Sequence, residues 1–263
     1  VGVAMAACGP TFNNKGHLGE VLKFVHLDSA AAPILGSIAE RLEQSSSGLI
    51  GIRLAFDKDV AASLFNKTAW RAAHSQLMRN LLAHVRANDA LLGLELSRVP
   101  LPAMYCNELS AALRSISIPQ PRHLQFLRLD GCKLCRASVT ALLPALIACD
   151  ELRLLDLSRC GLCPDAAEPL SELLRAHSRR RSAQQARGQA AAWRASLRVS
   201  VEEWPQVDGP PRGLELLLLS RNRLGDEGAR TLAHALDTEK WLRVLDLRLN
   251  SIGEAGRTAL AEA

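Results

Sequence analysis

Trp241 to Leu260 reads WLRVLDLRLNSIGEAGRTAL. Within it Leu242, Leu245, Leu247, Asn250 and Ile252 are followed by Gly256 and Leu260. The alternation Leu245-x-Leu247 predicts a short strand with one buried face. The small residue at 256 and the leucine four positions later predict a helix whose inner side lies against that strand. The same offsets recur 28 residues earlier at Leu214, Leu217, Leu219, Asn222, Leu224, Gly228, Leu232 and Leu236. They return at Leu152, Leu155, Leu157, Cys160, Leu162, Ala166, Leu170 and Leu174. A fourth copy runs through Leu124, Leu127, Leu129, Cys132, Leu134, Ser138, Leu142 and Leu146. Chance does not place four copies in one register.

Each position has a physical reason. The Asn or Cys turns the chain inward, where its side chain can satisfy backbone groups opened by the bend. The Gly, Ala or Ser position lets the helix approach the sheet closely. The pattern L-x-x-L-x-L-x-x-N/C-x-L resembles the leucine-rich repeat, and the 28-residue period resembles its ribonuclease-inhibitor subclass. The resemblance implies an α/β solenoid of about seven to eight repeats, curved, with parallel strands on the concave face and helices on the convex face.

Rougher copies extend upstream. Leu91, Leu94, Leu96, Val99 and Leu101, with Leu109 and Leu113, keep the template. Leu49, Ile52 and Leu54 open another, with a helix through Leu77, Leu81 and Val85, and an extra turn or short helix between Val60 and Ala73. Leu22, Val25 and Leu27 open a third, with Pro33 suited to the first turn of its helix. Val3, Met5 and Cys8 read as the remnant of an eighth. The chain thus divides into degenerate repeats over 1–90, regular repeats over 91–177, an Arg-rich insertion over 178–213 and regular repeats over 214–263. Val1 falls inside a strand and Ala263 inside a helix, so more repeats, or another domain, are expected beyond either end.

The composition agrees with this reading. The 263 residues include 47 leucines but only 4% aromatics, so the core is repetitive rather than mixed. At 48% hydrophobic and 22% charged, the chain is not disordered. No apolar run approaches the ~20 residues of a membrane helix. The charge of +5 rests on 26 Arg and only six Lys, dispersed except for one cluster. Seven cysteines, an odd number without a compact framework, fit a reducing compartment.

The cluster lies in the insertion. Leu152 to Leu214 spans 62 residues instead of 28, so about 34 interrupt the array. The helix before it is expected to end near His177. Arg179 to Trp193 favours a helix of its own, whereas Trp204-Pro205 and Asp208-Gly209-Pro210-Pro211 favour loops. One reading is a tolerated surface loop. The other is a partner-binding arm using Arg179, Arg180, Arg181 and Trp204, with Arg187 and Arg194, because an exposed Trp among arginines is common hot-spot chemistry.

Catalytic and metal signatures are weak. Cys132-x-x-Cys135 and Cys160-x-x-Cys163 have the look of a zinc site, but their separation is the repeat period. Cys132 and Cys160 are expected to point inward and Cys135 and Cys163 to stack at the following turn, as repeat residues and not ligands. No histidine has a partner at metal-ligand spacing, and no phosphate loop or nucleophile elbow is present. No metal, cofactor, small-molecule substrate or enzymatic activity is therefore expected.

The template also names the outward strand residues. Phe126, Leu154, Leu216 and Val244 make an apolar stripe. Glu95, Asp156 and Asp246 make an acidic one, interrupted by Arg128 and Leu218, and Arg98, Arg159 and Arg221 make a basic edge, with Arg248 at the end of the array. These residues either pair within their own sheet or bind a partner. The resemblance implies a non-enzymatic scaffold for protein partners in a larger complex, an architectural subunit of an axonemal or organellar particle. It would sit in the cytoplasm, in a cilium or the cytoskeleton, with an organellar matrix left open. Nucleic acid enters only through the Arg-rich insertion. Similarity to Ran GTPase activators or to the sensing repeats of immune receptors supplies the alternatives, though no residue of either family maps onto a position here.

Overall fold

The computed structural model describes residues 8–12, 18–27, 49–56, 68–88, 91–114, 124–197 and 213–263. Eight strands form one sheet in chain order: β1 (Cys8–Phe12), β2 (Leu18–Leu27), β3 (Leu49–Phe56), β4 (Gly93–Ser97), β5 (Phe126–Arg128), β6 (Leu154–Asp156), β7 (Leu216–Leu218) and β8 (Val244–Asp246). Strands β2 to β8 are all parallel. Helices α1 (Thr68–Ala87), α2 (Ala103–Leu113), α3 (Arg136–Ala148), α4 (Ala167–Leu197), α5 (Gly225–Leu236) and α6 (Glu254–Glu262) follow β3 to β8 in turn. Each helix packs against the next. The template leucines between strand and helix are buried, including Leu96, Leu129, Leu157 and Leu219 at 0–1% exposure.

The repeat phase survives at atomic detail. Gly93, Phe126, Leu154, Leu216 and Val244 are register partners, and so are Arg53, Glu95, Arg128, Asp156, Leu218 and Asp246. The Asn/Cys position does what its chemistry allows. Asn222 donates from Nδ2 to the carbonyls of Leu157 (2.9 Å) and Leu219 (2.8 Å), and its Oδ1 accepts the Leu162 N–H at 3.0 Å. Asn250 repeats this toward Leu219, Leu247 and Leu224. The thiols of Cys132 and Cys160 donate to Leu96 and Leu129 carbonyls, each at 3.0 Å. Burial raises both thiol pKa values, that of Cys160 to about 12, so each sulfur keeps the proton it donates.

The residue before that position adopts a left-handed conformation in every regular copy: Arg98, Gly131, Arg159, Arg221 and Leu249 have φ of 57–69°. The turn aims the backbone N–H at the following coil. Arg98, Gly131, Arg159 and Arg221 donate in this way to Asp130, Ser158, Ser220 and Arg248 over 2.7–2.9 Å. The ladder between coils thus continues past the short strands and offsets the cost of φ > 0 at non-glycine residues.

Four expectations require correction. Cys8 does not begin a parallel repeat unit, because β1 pairs antiparallel with β2. Only Asn13 to His17 separate the two strands, too few residues for a parallel crossover; Val3 and Met5 lie outside the described residues. The extra turn placed between Val60 and Ala73 is, from Thr68 onward, the first turn of α1, with residues 57–67 outside the described set. At Gly228 and Gly256 the small-residue position makes room for the turn of its own coil and for the neighbouring coil, rather than for the sheet. A Cβ at Gly228 would sit 2.9 Å from Leu224 Cβ and 3.5 Å from Pro164 Cα, and one at Gly256 2.7 Å from Ile252 Cγ2, 3.0 Å from Ala229 Cβ and 2.6 Å from Asp226 Oδ1. That carboxylate caps α6 across the coil boundary, accepting the Gly253 and Gly256 N–H groups at 2.6 and 3.1 Å.

The fourth correction concerns the insertion. No helix ends near His177: α4 continues unbroken to Leu197. Inward spacing continues with it, since Leu170, Leu174, His177, Ser178 and Arg181 are all buried. Pro33 and Trp204 lie outside the described residues.

Candidate partner-binding face

Strand alternation sets the geometry of the candidate site. Within β5 to β8 the central leucines Leu127, Leu155, Leu217 and Leu245 turn toward the helices, and their neighbours form the opposite face. The structure brings the expected apolar row together as adjacent residues on consecutive strands. Its members differ in access. Phe126 and Val244 are each 43% exposed and Leu216 is half-buried, but Leu154 is only 8% exposed. Leu154 therefore forms the floor between its neighbours and offers a partner little area, a correction to its expected role.

The second row is largely occupied with itself. Arg53 Nε donates to Glu95 Oε2 at 2.7 Å, and Arg128 approaches the same oxygen at 3.9 Å. Asp156 accepts the backbone N–H of Ser158 at 2.9 Å. Arg248 closes a two-pronged pair on Asp246, at 2.9 and 2.8 Å, which holds that carboxyl below its usual pKa range. Leu218 is half-buried between the two aspartates. Of the three acids in this row, Glu95 and Asp246 hold arginines and Asp156 holds a backbone N–H.

The expected basic edge divides in the same manner. Arg159 grips Asp130 through two bonds of 2.8 Å, and Arg98 donates from Nε to the Phe56 carbonyl. Arg221 occupies the same turn position and is exposed. These side chains line the far end of the strands. At the near end, Arg153 and Arg243 flank Glu215, with contacts of 3.2 and 3.7 Å.

The insertion arginines separate into three fates. Arg179 is exposed. Arg180 forms an ion pair with Asp150 at the end of the preceding coil. Arg181, expected to reach a partner, is 2% exposed; its guanidinium donates to the Gly213 carbonyl and lies 5.7 Å from the Trp241 ring centroid. It binds α4 to the coil that resumes at Gly213, so it is structural rather than a contact residue. His177 acts nearby in the same sense. Its Nε2 donates to the Leu146 carbonyl (3.0 Å) and its Nδ1 accepts the Leu214 N–H (3.2 Å), an arrangement only the neutral ring permits. Burial lowers its pKa accordingly.

Several residues of the face escaped the sequence reading. Arg53 was available from register with Glu95, and Arg153, Glu215 and Arg243 share one template position. Leu249, at 66% exposed, sits at the left-handed position that sequence alone does not mark. Of the two outer cysteines, Cys135 is exposed and bonds Ser138 at 3.5 Å, while Cys163 is exposed beside the Gly161 carbonyl. Among the described residues no three His, Cys, Asp or Glu converge on a common point. No described helix is long and apolar enough to cross a membrane.

Comparison with known families agrees with the coil geometry. A family model described as Leucine Rich repeat matches residues 214–233 and 239–261. The last two coils are thus leucine-rich repeats, a class of module that generally mediates protein–protein interaction. No curated protein matches the chain.

Proposed function

We propose that the chain is a non-enzymatic interaction scaffold, a curved solenoid of the ribonuclease-inhibitor type that holds a protein partner against its strand face. One observation carries the reading. Phe126, inside the sheet on β5, and Val244, on its last strand β8, both remain 43% exposed on a face where Glu95 and Asp246 are already paired. An apolar row that no described element covers, framed by satisfied polar groups, has the composition of an interface core with its rim. The sheet is one continuous array, which suits a long partner segment rather than a compact ligand. An architectural role in a large cytoplasmic assembly, ciliary or cytoskeletal, follows as the wider proposal, and the exposed Arg179 would then serve as a secondary contact.

The test is site-specific photocrosslinking. A photoreactive amino acid at Phe126 or Val244 should trap a defined protein from native extract, whereas one at Glu172, exposed on α4, should not. Equal trapping from both faces would overturn the assignment.

A further inference from the structure

Charges on the strand face are presented unequally. Where an acid meets an arginine, the acid lies beneath. The carboxylate side chains of Glu95, Asp130 and Asp246 retain 22%, 12% and 12% of their exposure, while Arg128, Arg159 and Arg248 retain 42%, 50% and 82%. Asp130 and Asp246 each hold a guanidinium by two bonds, whereas Glu95 is bonded to Arg53 at 2.7 Å and has Arg128 3.9 Å away; in each pair the arginine stays the more exposed partner. Five N–H donors on a planar fork leave free positions even after a two-bond grip on a carboxylate. Arg221 adds an exposed cation at the turn beside them. The solvent-facing layer is therefore cationic, although almost every acid on the face is paired.

These ends do not stand apart from the apolar row. Arg128 is two residues beyond Phe126 on β5, and Arg248 lies four beyond Val244 on the coil of β8, so a single extended ligand crossing the strands meets both. We propose that this face takes an acidic segment of a protein partner, with Asp or Glu side chains on the Arg128, Arg159, Arg221 and Arg248 ends and an aliphatic or aromatic anchor on the Phe126–Val244 row. The assignment rests on the strand face being a protein-binding surface, and it adds the chemistry of what is bound. Protein is favoured over single-stranded RNA because Phe126 is the one aromatic among these residues, and sequence-tolerant RNA binding needs several stacking platforms. Pre-oriented guanidiniums suit carboxylates, whose two oxygens match the fork.

Random dodecapeptides displayed on phage provide the probe, selected against the whole chain and remade as soluble peptides for anisotropy titration. The expected winners are rich in Asp and Glu around a large apolar residue. Their affinity should fall at least about tenfold in an Arg128→Gln, Arg221→Gln, Arg248→Gln variant and should weaken steeply with salt. That variant leaves Arg53 on Glu95, and unchanged circular dichroism shows that the fold is kept. Peptides that depend on Phe126 and Val244 but are neutral or basic, or that ignore the arginine changes, would overturn the acidic assignment and leave the protein-binding face standing. Failure to select any peptide sensitive to Phe126→Ser, together with tight binding of a twelve-nucleotide RNA, would overturn both.

Discussion

Replacing Asn222 by Ala tests the physical basis of the coil. The side chain is 5% exposed and serves three backbone groups on two coils. Not all three are lost when it is removed. The Leu219 carbonyl also accepts from Asn250 Nδ2 at 2.8 Å and stays satisfied. Two groups become orphans, the Leu157 carbonyl and the Leu162 N–H. At ~1–3 kcal/mol for each buried, unpaired group, the expected loss is about 2–6 kcal/mol. Asn222→Cys is the internal comparison, because Cys160 fills the same role one coil earlier and donates to Leu129 at 3.0 Å. A thiol keeps one donor bond in weaker form, so Asn222→Cys should cost about half as much as Asn222→Ala. Urea unfolding followed by far-ultraviolet circular dichroism gives the energies. Hydrogen exchange gives the location, with protection of the Leu162 amide lost in the Ala variant. A loss below about 0.5 kcal/mol for Asn222→Ala, or a Cys variant less stable than the Ala one, would refute the reasoning.

Three further outcomes follow from the same geometry. Leu249→Gly should raise stability by roughly 1 kcal/mol, because Leu249 is exposed at φ 57° and glycine removes the left-handed penalty; an unchanged or lower thermal midpoint counts against it. Gly256→Ala should cost about 1–3 kcal/mol through overpacking against Asp226, Ile252 and Ala229, measured by the same urea transition. His177 and His74 both have pKa values lowered by burial from the ordinary 6.5, so the unfolded chain binds more protons than the folded one. Stability should therefore be complete above pH 6.5 and fall as the pH drops toward the lowered folded values. His177→Gln should flatten that slope between pH 6.5 and 5, and an unaltered slope would remove His177 from the account.

Much of the candidate face was legible because strand alternation is a period of two. Once Leu217 and Leu245 are placed inward, Leu216 and Val244 must face outward. What alternation does not report is how neighbouring side chains cover one another. Leu154 and Val244 share a template position, yet the former lies on the floor and the latter stands open. Arg159 and Arg221 share a position as well, and only the former finds an aspartate, Asp130, on the preceding coil. The insertion was misread for a different reason. Along the sequence Arg179-Arg180-Arg181 reads as one basic unit, although a helical period sends Arg181 inward four residues after His177. A buried guanidinium needs a partner that sequence spacing does not reveal. Gly213 and Trp241 supply it from beyond the insertion.

The sequence alone determined the coil: the 28-residue phase of Leu, Asn or Cys and a small residue follows from local chain geometry and repeats without reference to anything distant. It also determined which residues could face outward. The tertiary structure decided which of these remain available, because exposure and ion pairing depend on the residue stacked one coil away. It likewise decided that the acids lie beneath the arginines, since a short carboxylate reaches less far from the sheet than the long guanidinium it holds.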